Sequence, residues 1–346
     1  MNNLPIFDGH NDTLLSLLYS GRTFFEESSS GHIDLPRAKR SGFGGGFFAV
    51  FTPNEQYKMV TKETKDGYET PLPPPITQEY ALQTSLAMIA ELFKIESQSD
   101  GGLKVVTAAQ ELERCLLNDT MAAVLHIEGA EAIDRDFNAL HVLYQAGLRS
   151  LGLVWSRPNA YGHGVPFRYP SSPDTGPGLT DRGKDLVKEC NSLGIMVDTA
   201  HLTEKGFWDV AGITNVPLVA SHSCVHAICP MSRNLTDKQI SAIAESGGVV
   251  GINYSVNMLR EDGGRDPNTS MDEIVKHIDY IVEHFGIDYV ALGSDFDGTT
   301  IPAEMKDVTG MPILIEKLKQ RGYSYDHLKK IAWENWVRVL HQTWKE

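Results

Sequence analysis

No apolar run in the sequence approaches the ~20 residues needed to span a bilayer, so a membrane-spanning helix is not expected. Basic residues are scarce: 31 Lys and Arg stand against 45 Asp and Glu, a formal net charge of −14. That balance argues against a general affinity for nucleic acid or anionic membrane. The first apolar run, LPIF at 4–7, is too short for a signal-peptide core and follows no basic stretch, so an export signal is not expected. Cysteine is rare, and Cys115, Cys190, Cys224 and Cys229 show no C-x-x-C spacing. In a chain of this size they are expected to be reduced structural residues, as in a cytoplasmic protein. No G-x-G-x-x-G follows the first apolar run, which removes the main sign of a dinucleotide-binding doubly wound sheet. No linker divides the chain, so residues 1–346 read as one domain.

What is present is a repeated rhythm. Short apolar runs ending in small or polar residues occur at 4–10, 44–51, 121–129, 148–155, 194–201, 216–223, 247–254 and 288–296. Their apolar residues are nearly continuous rather than alternating, which suits strands covered on both faces of a parallel sheet. Amphipathic stretches lie between them, at 77–95, 179–194, 235–248 and 270–286, several opening on a Thr/Asp cap or closing on glycine. Eight strand–helix repeats predict a (β/α)8 TIM barrel, with an open parallel sheet as the alternative. Segments 52–76, containing PLPPP, and 156–178, rich in Gly and Pro, are expected to be long loops. They follow the second and fourth strands, at the rim where a barrel keeps its active site, and are candidates for a lid or substrate wall.

The strand ends carry the chemistry. The first run ends in His10 and Asp12, the third in Glu128, the fifth in His201, the sixth in His222 and the eighth in Asp295. One such residue would be unremarkable in a core; six at equivalent strand ends would converge on one rim. Imidazoles mixed with carboxylates suit zinc or a similar divalent ion rather than calcium or magnesium. His10 and Asp12, as alternate residues, face the same side and can grip one ion. His201 and His222, on adjacent strands, can grip a second, and Glu128 can bridge the two in the manner of two-metal hydrolases.

The stretches FDGHND (7–12), IDLPRAKRSGFGGGFFAVF (33–51), HIEGAEAI (126–133), GLTDRGKDLVKECNSLGIMVDTAH (178–201), SHSCVHAICPMSRNLTD (221–237) and HIDYIVEHFGIDYVALGSDFDG (277–298) occur in this order. With RGYSYDHLKKIAWENWVRVL (321–340), the chain resembles, over nearly its whole length, the membrane (renal-type) dipeptidase family, peptidase family M19 of the amidohydrolase superfamily. The resemblance implies a binuclear zinc dipeptidase, with His10 and Asp12 on one zinc, His201 and His222 on the other, and Glu128 between. It implies Arg233 as the holder of the substrate's terminal carboxylate and Asp295 as the manager of protons around the water. Tyr254 is a further candidate substrate contact. Family members tolerate, and some prefer, a D-residue at the C-terminal position. The implied partner is a small dipeptide, with a homodimer as the family's common assembly; the chain itself shows no interface signal.

One position departs from the family. Where relatives commonly read L-T-H after the fourth strand, this chain reads LGLVW, with Trp155 in place of the histidine. An indole can donate one hydrogen bond but cannot become a cation or accept a proton. His163, eight residues on, is the candidate replacement donor, against a plain loop histidine. Trp155 keeps open an N-acyl-D-amino-acid or other amide hydrolase, because an apolar wall suits an acyl group. A catalytically inactive ligand-binding barrel is the alternative of another class, opposed by the intact ligand set. His126 and Asp198 read as packed residues or as supports for the ligands, and His226, His277 and His284 as surface or cap residues.

Overall fold

A computed structural model describes residues 4–55 and 57–345. Residues 1–3, on which the expectation of no export signal partly rests, lie outside the described residues. Eight strands follow the chain in order: β1 (Ile6–Asn11), β2 (Phe43–Phe51), β3 (Met121–Glu128), β4 (Leu148–Gly152), β5 (Met196–Asp198), β6 (Val219–Ser223), β7 (Val249–Ile252) and β8 (Val290–Leu292). Each pairs in parallel with the next. The ring closes just beyond β1 and β8, where Asp12 N donates to Phe296 O at 2.8 Å and Asp295 N to His10 O at 3.0 Å. The predicted (β/α)8 barrel is the fold. All eight residues of β3 are buried, as continuous apolar strands between two layers must be.

The helices between strands start and stop where local chemistry says. Thr180 accepts from Gly183 N to open Asp181–Leu193, and Gly194 closes it in the left-handed region. Thr236 and Gln239 form a capping box at the head of Asp237–Glu245. The glycine between Asp8 and His10 has a steric cause. A Cβ on Gly9 would fall 2.3 Å from Ser221 O and 2.5 Å from the ring of Trp336. Trp336 is fully buried, packs on Phe47 at 5.1 Å and donates its indole N–H to Leu292 O.

The two long rim segments are not merely loops. Lys62–Glu63, Tyr68–Thr70 and Phe167–Tyr169 form a three-stranded antiparallel sheet that joins the segment after β2 to the segment after β4. Strands of two or three residues are too short for their alternation to show in sequence. Another short strand, Leu103–Val105, pairs with β3 outside the barrel. The four cysteines are free and buried. Among the described residues no helix is long and apolar enough to cross a membrane.

Candidate active site

The parallel register brings the predicted strand-end residues to one rim. Glu128 Oε1 stands at the centre, 3.0 Å from His201 Nε2, 3.5 Å from His222 Nε2 and 3.9 Å from His10 Nε2. Asp12 Oδ2 lies 3.6 Å from His10 Nε2. His10, Glu128 and His222 can converge on one ion, and so can His10, Asp12 and Asp295. His201 and Asp295 adopt left-handed backbone, φ +68° and +60°. Non-glycine residues rarely do so, and here the turn aims both side chains back over the barrel mouth.

Do these residues fit a metal? Both ring nitrogens of His10, and Asp12 Oδ1, are buried without a hydrogen-bond partner. Buried polar atoms are almost always paired, so three together point to a missing partner that accepts lone pairs. The Nε2 atoms of His201 and His222 face each other at 3.1 Å, a spacing natural to two ligands each about 2.0–2.1 Å from a shared ion. The far side of His222 is held in the tautomer a metal needs. Ser221 Oγ donates to Asp198 Oδ2 at 2.5 Å, so it accepts from His222 Nδ1 at 2.8 Å and leaves the Nε2 lone pair facing inward. Ser156 Oγ meets His201 Nδ1 at 2.9 Å.

The electrostatics agree. Burial, with the nearby Arg233 and His10 charges, holds His201 and His222 well below the ordinary histidine range, so both are neutral rings, the form in which an imidazole can bind a metal. Burial pushes Glu128 up to about 8, with the Asp12 and Asp295 charges adding to the rise and the His10 cation opposing it. Burial pulls His10 down, but Glu128 and Asp12 outweigh it and raise it to about 10. A proton on His10 is the weak substitute for what three crowded carboxylates require, a divalent cation.

Above this floor opens a cavity of about 650 Å³, lined by Asp12, Glu128, His201, Arg233 and Asp295, with His10 and His222 buried just beneath. Asn253 donates to Asp295 Oδ2 at 2.9 Å. Arg233 gives one N–H to Ser223 Oγ and one to His222 O, while its buried Nε has no partner. Asp297, next to this floor, ties the β8 loop down by accepting from Arg22 at 3.0 Å and from His32 N at 2.7 Å. Trp155 stands in an aromatic wall, 4.8 Å from Phe51, 5.9 Å from Phe167 and 6.0 Å from His201, ring centre to ring centre. Arg157 fixes that wall, bonding Glu131 at 2.8 Å, Asn54 at 2.6 Å and Thr52 O at 3.1 Å.

Two expected contacts are not on the cavity. Tyr254 is fully buried, its ring against Phe296 and its hydroxyl donating to Met311 Sδ. His163 does not line the cavity, since the segment folds back at Asn159–Gly162 and hands its carbonyl to Thr203 N. His277 is buried rather than superficial. Ser156, Ser221, Asn253, Phe51 and Phe167 were missed. Ser221 adjoins His222, and in an ideal strand neighbours point apart; a register shift between Ala220 and Ser223 lets them meet.

A parallel barrel that gathers histidines and carboxylates at its C-terminal rim under an open cavity defines a metal-dependent hydrolase of the amidohydrolase type. The profile of the membrane dipeptidase family (Peptidase family M19) matches residues 1–345, and the chain belongs to that family. Its enzyme class is accordingly that of a metal-dependent dipeptidase. It is similar to a metallopeptidase from Rhodobacter sphaeroides, solved with a phosphinate mimic of the dipeptide L-Ala-D-Ala, at 45% identity and a TM-score of 0.95, covering 99% of this chain and 100% of that one. A second solved structure, the dipeptidase AC, is 46% identical with a TM-score of 0.95 and 99% coverage of both chains. A Klebsiella pneumoniae chain described as an uncharacterized protein in the pqqA 5' region is 48% identical over 258 residues, 75% of this chain and 95% of that one.

Proposed function

We propose that this chain is a binuclear zinc dipeptidase that accepts dipeptides with a D-residue at the C-terminal position. The observation that carries the reading is the convergence of three imidazole nitrogens on Glu128 Oε1 within 3.9 Å, beside Asp12 and beneath the cavity. His10 and Asp12 would hold one ion and His201 and His222 the other, with Glu128 placed to serve both. When bound, the metal pair supplies Lewis acidity and a water deprotonated near neutral pH.

The chain's own residues do the rest. Arg233, on the cavity lining, pairs with the substrate's terminal carboxylate, a charge-assisted contact that limits the substrate to short peptides. Asp295, pinned through Oδ2 by Asn253, keeps Oδ1 to take the water's proton and return it to the leaving amine. Phe51, Trp155 and Phe167 pack against the remaining side chain and exclude water from it. The relative solved with an L-Ala-D-Ala mimic supports the D-residue.

The test is chelation followed by zinc titration, with metal counted per chain and L-Ala-D-Ala compared with L-Ala-L-Ala. Activity lost on chelation and restored at two zinc per chain is expected, with the D-isomer hydrolysed. Metal-independent hydrolysis, or none with zinc restored, defeats the reading. Trp155 favours one second reading, hydrolysis of N-acyl-D-amino acids, because the aromatic wall offers no charged partner to a free amine. A higher kcat/KM for an N-acyl compound than for its parent dipeptide would establish that alternative.

A further inference from the structure

The ends of β2 and β4 line one side of the cavity and the loops after β6 and β7 another, and the segment after β2 reaches over to meet the β7 loop at Tyr68. The first side presents Phe51 and Trp155, with Lys58 from the segment after β2; the second carries two guanidinium groups, Arg233 and Arg265. We propose that the second side holds a subsite for an acidic side chain on the C-terminal residue of the substrate, with Arg265 as its specificity-determining cation. This deepens the dipeptidase reading and rests on it.

Arg265 is a cation without an acid. Of its neighbours in sequence, Asp262 is engaged by Arg260 at 2.6 and 2.8 Å, and Asp266 accepts from Asn268 N at 2.9 Å. Among the described residues Arg265 makes no ion pair within 4.0 Å. It is nevertheless held in place, its guanidinium carbon 3.8 Å from the centre of the Tyr68 ring. The loop beneath it is anchored at two points, where Tyr68 donates to Gly263 O at 3.1 Å and Tyr169 to Glu261 O at 2.7 Å. Gly263 is required there: φ is +62°, and a Cβ would lie 2.4 Å from the Tyr169 ring.

The charge count then selects the substrate. A neutral dipeptide brings one carboxylate, which Arg233 takes from the floor beside β6. Its C-terminal side chain therefore extends toward the neighbouring β7 loop, where Arg265 waits on the wall. A carboxylate on that side chain satisfies the second guanidinium; an amide of the same shape does not.

The test compares kcat/KM for L-Ala-D-Glu with L-Ala-D-Gln, and L-Ala-D-Asp with L-Ala-D-Asn, on the zinc-loaded enzyme. The acid is expected to be favoured about tenfold, less as salt screens an exposed guanidinium. Arg265→Met should bring the acid-to-amide ratio close to one, and Arg265→Glu should invert it. A wild-type ratio at or below one, or a ratio that neither substitution moves, overturns the inference while leaving the dipeptidase reading intact. Hydrolysis of neither member of either pair overturns both.

Discussion

The floor of the cavity and its walls are built on different principles. The floor is short-range: each candidate site residue leaves the end of a barrel strand, and three are gripped from behind, His222 by Ser221 and Asp198, His201 by Ser156, Asp295 by Asn253. The walls are assembled from distant segments. Trp155 meets Phe51 and Phe167, and Tyr68 meets Tyr169, where two rim insertions pair into a sheet and Arg157 ties their bases together. A metal centre needs ligand positions fixed to fractions of an ångström, which rigid strand ends provide. Substrate range can vary without disturbing that centre because it belongs to the insertions.

Substitutions should separate the two regions. The largest effect is expected at the centre of the floor. Glu128→Gln removes the carboxylate proposed to serve both ion positions and should lower kcat roughly 10³-fold or more. Metal analysis of the purified variant should show less than the wild-type complement, and a full complement with full activity would refute the role given to Glu128. Arg233→Met leaves the substrate carboxylate facing a buried site without its partner. A loss of roughly 10²–10³ in kcat/KM, carried mainly by KM, is expected, since truncating one member of a buried charge pair costs about 2–5 kcal/mol.

The wall side should be the part that responds to acid. His277 Nδ1 accepts from Val225 N at 3.0 Å, and its Nε2–H donates to Leu259 O, so this neutral ring ties together the loops after β6 and β7. Burial, and to a small extent Lys276, pushes it down to about 4. Because the folded value is below the unfolded one, near 6.5, the unfolded chain takes up the proton first. The contribution is complete above pH 6.5 and is lost as pH falls toward 4, about 3 kcal/mol in all. Denaturant unfolding from pH 7 to pH 4 should show that slope, reduced in His277→Gln; an unchanged slope would deny His277 this role.

The smallest effect is expected one layer behind the floor. Ser221→Ala frees the His222 ring from its fixed tautomer and should weaken metal affinity or activity by about 10–100-fold. Competition with a chelator measures it, and the wall's acid-to-amide preference should stay unchanged.

Much of the floor was legible because its logic is local. HxD at the end of an apolar run puts two ligands on one side of a strand. Recurrence of the same kind of ending at Glu128, His201, His222 and Asp295 implies a common rim. Tyr254 shows where that reasoning stops. At the end of β7 the adjacent residues Asn253 and Tyr254 face opposite ways, and a shift of one residue exchanges them; Asn253 faces Asp295 and Tyr254 the core. Sequence carried no sign of which would turn inward.

By itself, then, the sequence determined the barrel, its order and the strand-end residues that gather at one rim, because apolar continuity and strand-end position are properties of neighbouring residues. Only the tertiary structure decided what Trp155 faces, that His163 stands aside and that Arg265 makes no ion pair among the described residues. Those outcomes depend on the pairing of insertions about a hundred residues apart, Tyr68 with Tyr169, and on which carboxylates other cations had already taken.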